Sequence, residues 1–80
     1  MRIISTSKFD RKLKTFPKTI REKFYKQVDF LILDIRYPSL HAKKYSGEEN
    51  IWQGRVDKNV RFYFQIENDF YVLVDIKYHN

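Results

Sequence analysis

The sequence contains no cysteine, so this 80-residue chain has no disulfide to help hold a fold that, at such a length, buries only about 60% of the surface exposed when unfolded. The same absence removes CxxC metal and redox sites. No P-loop, GxGxxG fingerprint or HExxH pair occurs, which leaves nucleotide cofactors and catalytic zinc without support. No apolar run approaches the length of a membrane span, and the start MRIISTSKFDRK lacks the apolar stretch of a secretory leader. No repeat, linker or low-complexity tract divides the chain. The expectation is a single cytoplasmic domain over residues 1–80, with no membrane partner, no metal and no cofactor.

What is present compensates for what is missing. Seven Phe, six Tyr and one Trp can build a dense core, each fully buried Phe being worth roughly 1.5–3 kcal/mol. Lys and Arg number 16 against 10 Asp and Glu, a net charge of +6. A charge of that size on so short a chain suits a polyanionic partner such as nucleic acid, a ribosome or an acidic protein segment. The competing reading is a solvated surface that keeps the protein soluble, and placement has to decide between them.

Arg2 to Ser5, with β-branched Ile3 and Ile4, reads as a first strand. Thr6 or Ser7 can cap a helix with Asp10 in its first turn, and Phe9, Leu13 and Phe16 form its apolar stripe before Pro17. Pro17 suits the first turn of a second helix, in which Ile20, Phe24, Val28, Leu31 and Ile35 recur at helical spacing to about Asp34. The outward lysines and arginines of both helices read as solvated faces that add long-range attraction. Arg36 to Asn50 reads as a long irregular loop, the kind that is functional or mobile in a small domain. Lys43 and Lys44 in it flank the entrance to a sheet.

That sheet is expected from Ile51 to Asn80, as a three-strand antiparallel meander. Val60, Phe62, Phe64 and Ile66 alternate with Arg61, Tyr63 and Gln65, the period of a half-buried strand. Pairing Val56 with Val60 and Ile66 with Phe70 sets Arg55 opposite Arg61, and Arg61 opposite Asp75, with Lys77 and His79 on the same side. Like charges opposed in a sheet cost up to about 1 kcal/mol, a cost that an anionic ligand would offset. Asp75 is the alternative partner for Arg61, as a structural ion pair. His79 can serve as acid or base near neutral pH; His41, in the loop, is weighed as a second one against an ordinary surface histidine. Trp52 has core parity, and Gly54 marks a bulge or a close approach of ligand to backbone. The fold class is α+β: an N-terminal strand, a two-helix hairpin, then the meander, with the helices on its even-numbered face.

The order of these elements, with YPSLHAKKYSGEENIW leading into the sheet and then GRVDKNVRFYFQI and VLVDIKYH, resembles the RelE/ParE superfamily of bacterial toxins over almost the whole chain. That resemblance implies the toxin of a type II toxin-antitoxin system, partnered by an antitoxin whose acidic segment covers the basic surface. It implies, for the RelE-like branch, a metal-independent endoribonuclease acting on mRNA in the ribosomal A site by attack of a 2′-OH on the adjacent phosphate. The family's cations then fall on Gln53, Arg55 and Arg61, and its end-of-sheet group on His79. Arg55, Arg61 and His79 match in type and are the expected catalytic residues. Gln53 does not match, but with Lys43, Lys44, Lys77, Tyr63 and Tyr71 it belongs to the expected substrate-binding set, the tyrosines as base-stacking groups. Some members carry a catalytic tyrosine in a tail beyond the last strand, where this sequence has Asn80. The alternatives are a ParE-like inhibitor of DNA gyrase and a degenerate member that only binds antitoxin.

Overall fold

A computed structural model describes residues 1–79 of the chain. Strand β1 (Arg2–Ser5) leads into helix α1 (Ser7–Leu13), whose first turn is closed by Thr6, its Oγ1 accepting the Phe9 N–H at 3.0 Å. Pro17 lacks a backbone donor and immediately precedes α2 (Lys18–Leu33). A single 3-10 turn (Pro38–Leu40) follows, then β2 (Lys43–Ser46), β3 (Ile51–Arg55), β4 (Val60–Glu67) and β5 (Phe70–Tyr78).

The sheet has five strands in the order β1-β5-β4-β3-β2, which corrects the expected three-strand meander in two ways. Strand β1 joins it, parallel to β5, and β2 adds an antiparallel edge beyond β3. The segment expected to be an irregular loop thus contains both the 3-10 turn and a strand. Strand β2 reads KKYS, and lysine is the residue that edge strands use to discourage further pairing.

Both helices pack on the side of the sheet that carries Val60, Phe62 and Phe64, as the alternation predicts. Phe24 of α2 meets Phe62 edge-on at 5.4 Å and Phe9 of α1 at 5.4 Å, so one aromatic side chain locks two helices to the sheet. Among the described residues the opposite face carries no helix, and Arg55, Arg61, Asp75 and Lys77 of the sheet lie there.

The β4–β5 register differs from the expected one. Glu67 pairs with Phe70 across a two-residue turn in which Asn68 takes a left-handed φ of 51°, where a three-residue turn is predicted. A bulge then inserts Val74, and the two single-residue shifts add, so Arg61 faces Lys77 and Tyr63 faces Asp75. Between turn and bulge every side chain of β5 changes face. Tyr71 consequently lies in the core, edge-on to Phe64 at 5.5 Å. Beyond the bulge the predicted parity returns.

Candidate functional site

Two cross-strand rows define the helix-free face. Arg55, Arg61 and Lys77 form one, and Lys43, Gln53, Tyr63 and Asp75 the next. His79 extends β5 by donating its N–H to the Asn59 carbonyl at 2.7 Å, and its parity matches that of Lys77 and Arg61. At this end of the sheet lies a cleft of about 410 Å³ lined by His41, Ala42, Lys43, Gln53, Arg55, Arg61 and His79. That volume falls within the range of small-ligand sites. Among the described lining residues there are three fixed cations and two imidazoles, and no carboxylate.

Arg61 is the most constrained of the cations. It is only 6% exposed, and its Nη1 donates to the Asp57 carbonyl at 2.7 Å, with the Val60 and Lys58 carbonyls at 3.2 and 3.4 Å. The same turn is closed by Asp57, whose Oδ1 accepts the N–H groups of Asn59 at 2.8 Å and Val60 at 3.0 Å. The alternative of an ion pair between Arg61 and Asp75 is therefore set aside, and Arg61 is held by the carbonyls of the β3–β4 turn. Asp75 instead binds Lys12 of α1 at 2.7 Å. Burial first, and then the charge of Arg55, lower the pKa of the Arg61 guanidinium from its ordinary value. Directly opposite, the Nε of Arg55 is buried and has no hydrogen-bond partner among the described residues. Two guanidiniums forced together by register, neither in a salt bridge with a carboxylate among the described residues, make a cradle for an anion with several oxygens.

A buried network fixes the other wall. Gln27 of α2 is 7% exposed, and its Nε2 donates to the Arg55 carbonyl at 2.7 Å and the Ser39 carbonyl at 2.9 Å, while its Oε1 accepts the Ser39 hydroxyl at 3.0 Å. One side chain thus ties α2 to the end of β3 and to the 3-10 turn. That turn ends at His41, which holds a left-handed backbone, φ 46° and ψ 41°. Sequence reasoning missed Gln27. The available signal was a polar residue three positions after Phe24 and four before Leu31, inside the apolar stripe.

Not every residue expected at the site reaches it. Lys44 shares the helix-side parity of Trp52, and its ammonium lies 5.4 Å from the indole centroid, away from the cleft. Lys77 is in the row with Arg61, but its ammonium sits 4.9 Å from the Tyr63 ring and does not line the cleft. Tyr63 is on the expected face yet buried at 6% exposure, with Tyr45 edge-on to it at 4.9 Å. Tyr45, not singled out from the sequence, is the exposed aromatic on this face. Tyr71, buried beneath the helices' side of the sheet, is excluded as a stacking group by the register change. Trp52 packs as expected, stacked on Phe64 at 6.4 Å. Among the described residues no group of three His, Cys, Asp or Glu is placed to hold a metal ion, and no helix is long and apolar enough to cross a membrane.

No protein-family model and no curated protein sequence matches the chain. Solved structures do. The YoeB/ParE toxin from Agrobacterium tumefaciens superposes with a TM-score of 0.81 at 13% identity, over 100% of both chains. The RelE of the archaeal RelE-RelB complex from Pyrococcus horikoshii gives 0.80 at 15% identity, over 96% of this chain and 92% of that one. YafQ from E. coli gives 0.78 at 13% identity, over 99% and 94%. Likeness at that level of identity establishes a shared fold.

Proposed function

We propose that this chain, which has the RelE/ParE toxin fold, is the toxin of a type II toxin-antitoxin system and an endoribonuclease that cuts mRNA in the cytoplasm, in the ribosomal A site. The observation that supports this reading is the meeting of Arg55, Arg61, Lys43 and His79 in one cleft. In the reaction, the 2′-oxygen of a ribose attacks its own 3′-phosphorus, and the bond to the 5′-oxygen of the next nucleotide breaks. A cyclic 2′,3′-phosphate and a free 5′-hydroxyl result. The transition state concentrates negative charge on the non-bridging oxygens, where Arg55 and Arg61 are already assembled and need no reorganisation. Lys43 adds charge from β2, and Gln53 supplies a neutral hydrogen-bonding group between the cations. His79 carries one of the two proton transfers. An antitoxin would be held by the same basic face; the Pyrococcus RelE-RelB and the Staphylococcus aureus YoeB-YefM structures are complexes of this kind.

The test is brief expression in a bacterium with mapping of new 5′-hydroxyl ends on translated messages, beside Arg55→Ala and His79→Ala variants. Codon-phased cuts that vanish in both variants are the expected result. Arg61→Ala is less informative alone, because Arg61 also holds the β3–β4 turn. Growth arrest with intact messages and broken chromosomes would replace this reading with gyrase inhibition. Absence of toxicity from a folded protein would leave only antitoxin binding.

A further inference from the structure

The reaction needs two proton transfers, one from the attacking hydroxyl and one to the leaving oxygen. Among the described residues lining the cleft, Lys43, Arg55 and Arg61 are cations at neutral pH, and Gln53 does not titrate. Only the two imidazoles can both take and give a proton in that range. His79 arrives from the end of β5 and His41 from the turn before β2, two segments that meet only in the folded protein.

We infer that His41 is the second catalytic acid-base residue, dividing the two proton transfers with His79 across the Arg55–Arg61 cradle. The inference rests on the nuclease reading above. One histidine acts as base, accepting the 2′-hydroxyl proton as the new oxygen–phosphorus bond forms. The other donates a proton to the departing 5′-oxygen, so protons and charge balance without any further reactant.

His41 is exposed, and two observations bear on how its backbone is held at the cleft. Its backbone is left-handed, a conformation that non-glycine residues hold where surrounding structure imposes it and that concentrates at functional sites. The imposing structure is visible: Gln27 grips the carbonyl and hydroxyl of Ser39 two residues before it, and with the same amide nitrogen grips the Arg55 carbonyl. The imidazole-bearing turn and the strand carrying a phosphate-binding arginine are thereby fixed to one point. The charged and titratable groups that line the cleft with His41 are Lys43 on β2, Arg55 on β3, Arg61 on β4 and His79 on β5, with Arg36 and Tyr37 lining the adjoining groove.

The experiment is single-turnover cleavage of a short RNA across pH 5 to 9 by the parent, His41→Asn and His79→Asn. Asparagine tolerates the left-handed backbone, so the turn survives. A matched thermal midpoint confirms folding. The parent is expected to show a bell-shaped profile, and each variant to lose one limb and about 10² to 10⁴ in rate. An RNA whose leaving oxygen is replaced by sulfur, which departs without a proton, should rescue only the variant lacking the acid. A His41→Asn variant that keeps both limbs and cleaves within threefold of the parent overturns this inference while leaving the nuclease reading intact. A parent that cleaves no RNA at any pH, ribosomes included, overturns both.

Discussion

A single glutamine ties the strand that carries Arg55 to the turn before His41. The buried Gln27 amide makes three partly buried hydrogen bonds at once, with two carbonyls and a hydroxyl. Replacing it with leucine preserves volume but leaves those partners unmet, at about 1–3 kcal/mol. Urea unfolding of Gln27→Leu should show that loss, and Arg55→Ala, which keeps its carbonyl, should not. Asp75 is the second instructive residue. Burial would raise its pKa, but the Lys12 hydrogen bond and the Ile76 N–H at 2.8 Å outweigh that and hold it below its ordinary value. A carboxyl depressed on folding stabilises above its unfolded pKa, near 4, and that contribution fades as pH falls through the folded value. The pair with Lys12 is more than a third exposed, so its worth is at most about 1 kcal/mol. Asp75→Asn should therefore lower the urea midpoint slightly at pH 7, and the gap to the parent should narrow as the pH falls below about 4.

At the scale of elements, what could be read from the sequence depended on how many residues voted. Seven alternating positions from Val60 to Ile66 fix the face of β4, and the tight turn at Val56–Val60 sets Arg55 against Arg61. The side of His79 is legible as well, because the shorter turn and the added bulge together shift the register by two residues and so leave its parity unchanged. Between them, nothing in FYVLV distinguishes faces, since both parities are apolar, and Tyr71 was assigned to the wrong one. Strand β2 escaped notice because its four residues are mostly charged or polar and its pairing is supplied wholly by β3. Gly54 marks neither of the two expected features: it sits in unbroken register with Phe62, and the group that approaches its backbone is that partner's ring rather than a ligand. A Cβ there would lie 2.5 Å from the Phe62 Cζ. Phe62 is fully buried and wedged between Phe24 and Phe64, so it has little room to yield. Gly54→Ala should cost about 1–3 kcal/mol. Thermal unfolding of that variant measures the cost, and a midpoint equal to the parent's would mean that the ring moves freely.

Over the whole molecule, the division of charge between cleft and helices makes separate demands on binding and on approach. Of the +6, most resides on lysines and arginines scattered over the exposed sides of α1 and α2, where several are offset by neighbours such as Glu22 and Asp57. Those groups act over roughly a Debye length, about 8 Å at physiological salt, and steer a polyanion without touching it. The cleft cations differ, because a phosphate seated between Arg55 and Arg61 displaces its condensed counterions. For single-stranded nucleic acid, each phosphate so neutralised contributes about 0.7 to the slope of log affinity against log salt. An oligonucleotide blocked at the cleavage site with 2′-deoxy substitution should therefore bind Arg55→Ala with a slope shallower by roughly that amount. Lys26→Ala, altered on an exposed face of α2, should slow association at low salt and leave the slope within error of the parent's. If Arg55→Ala kept the parent's slope, its guanidinium would not be touching phosphate, and the cradle formed by the Arg55–Arg61 register would lose its ligand.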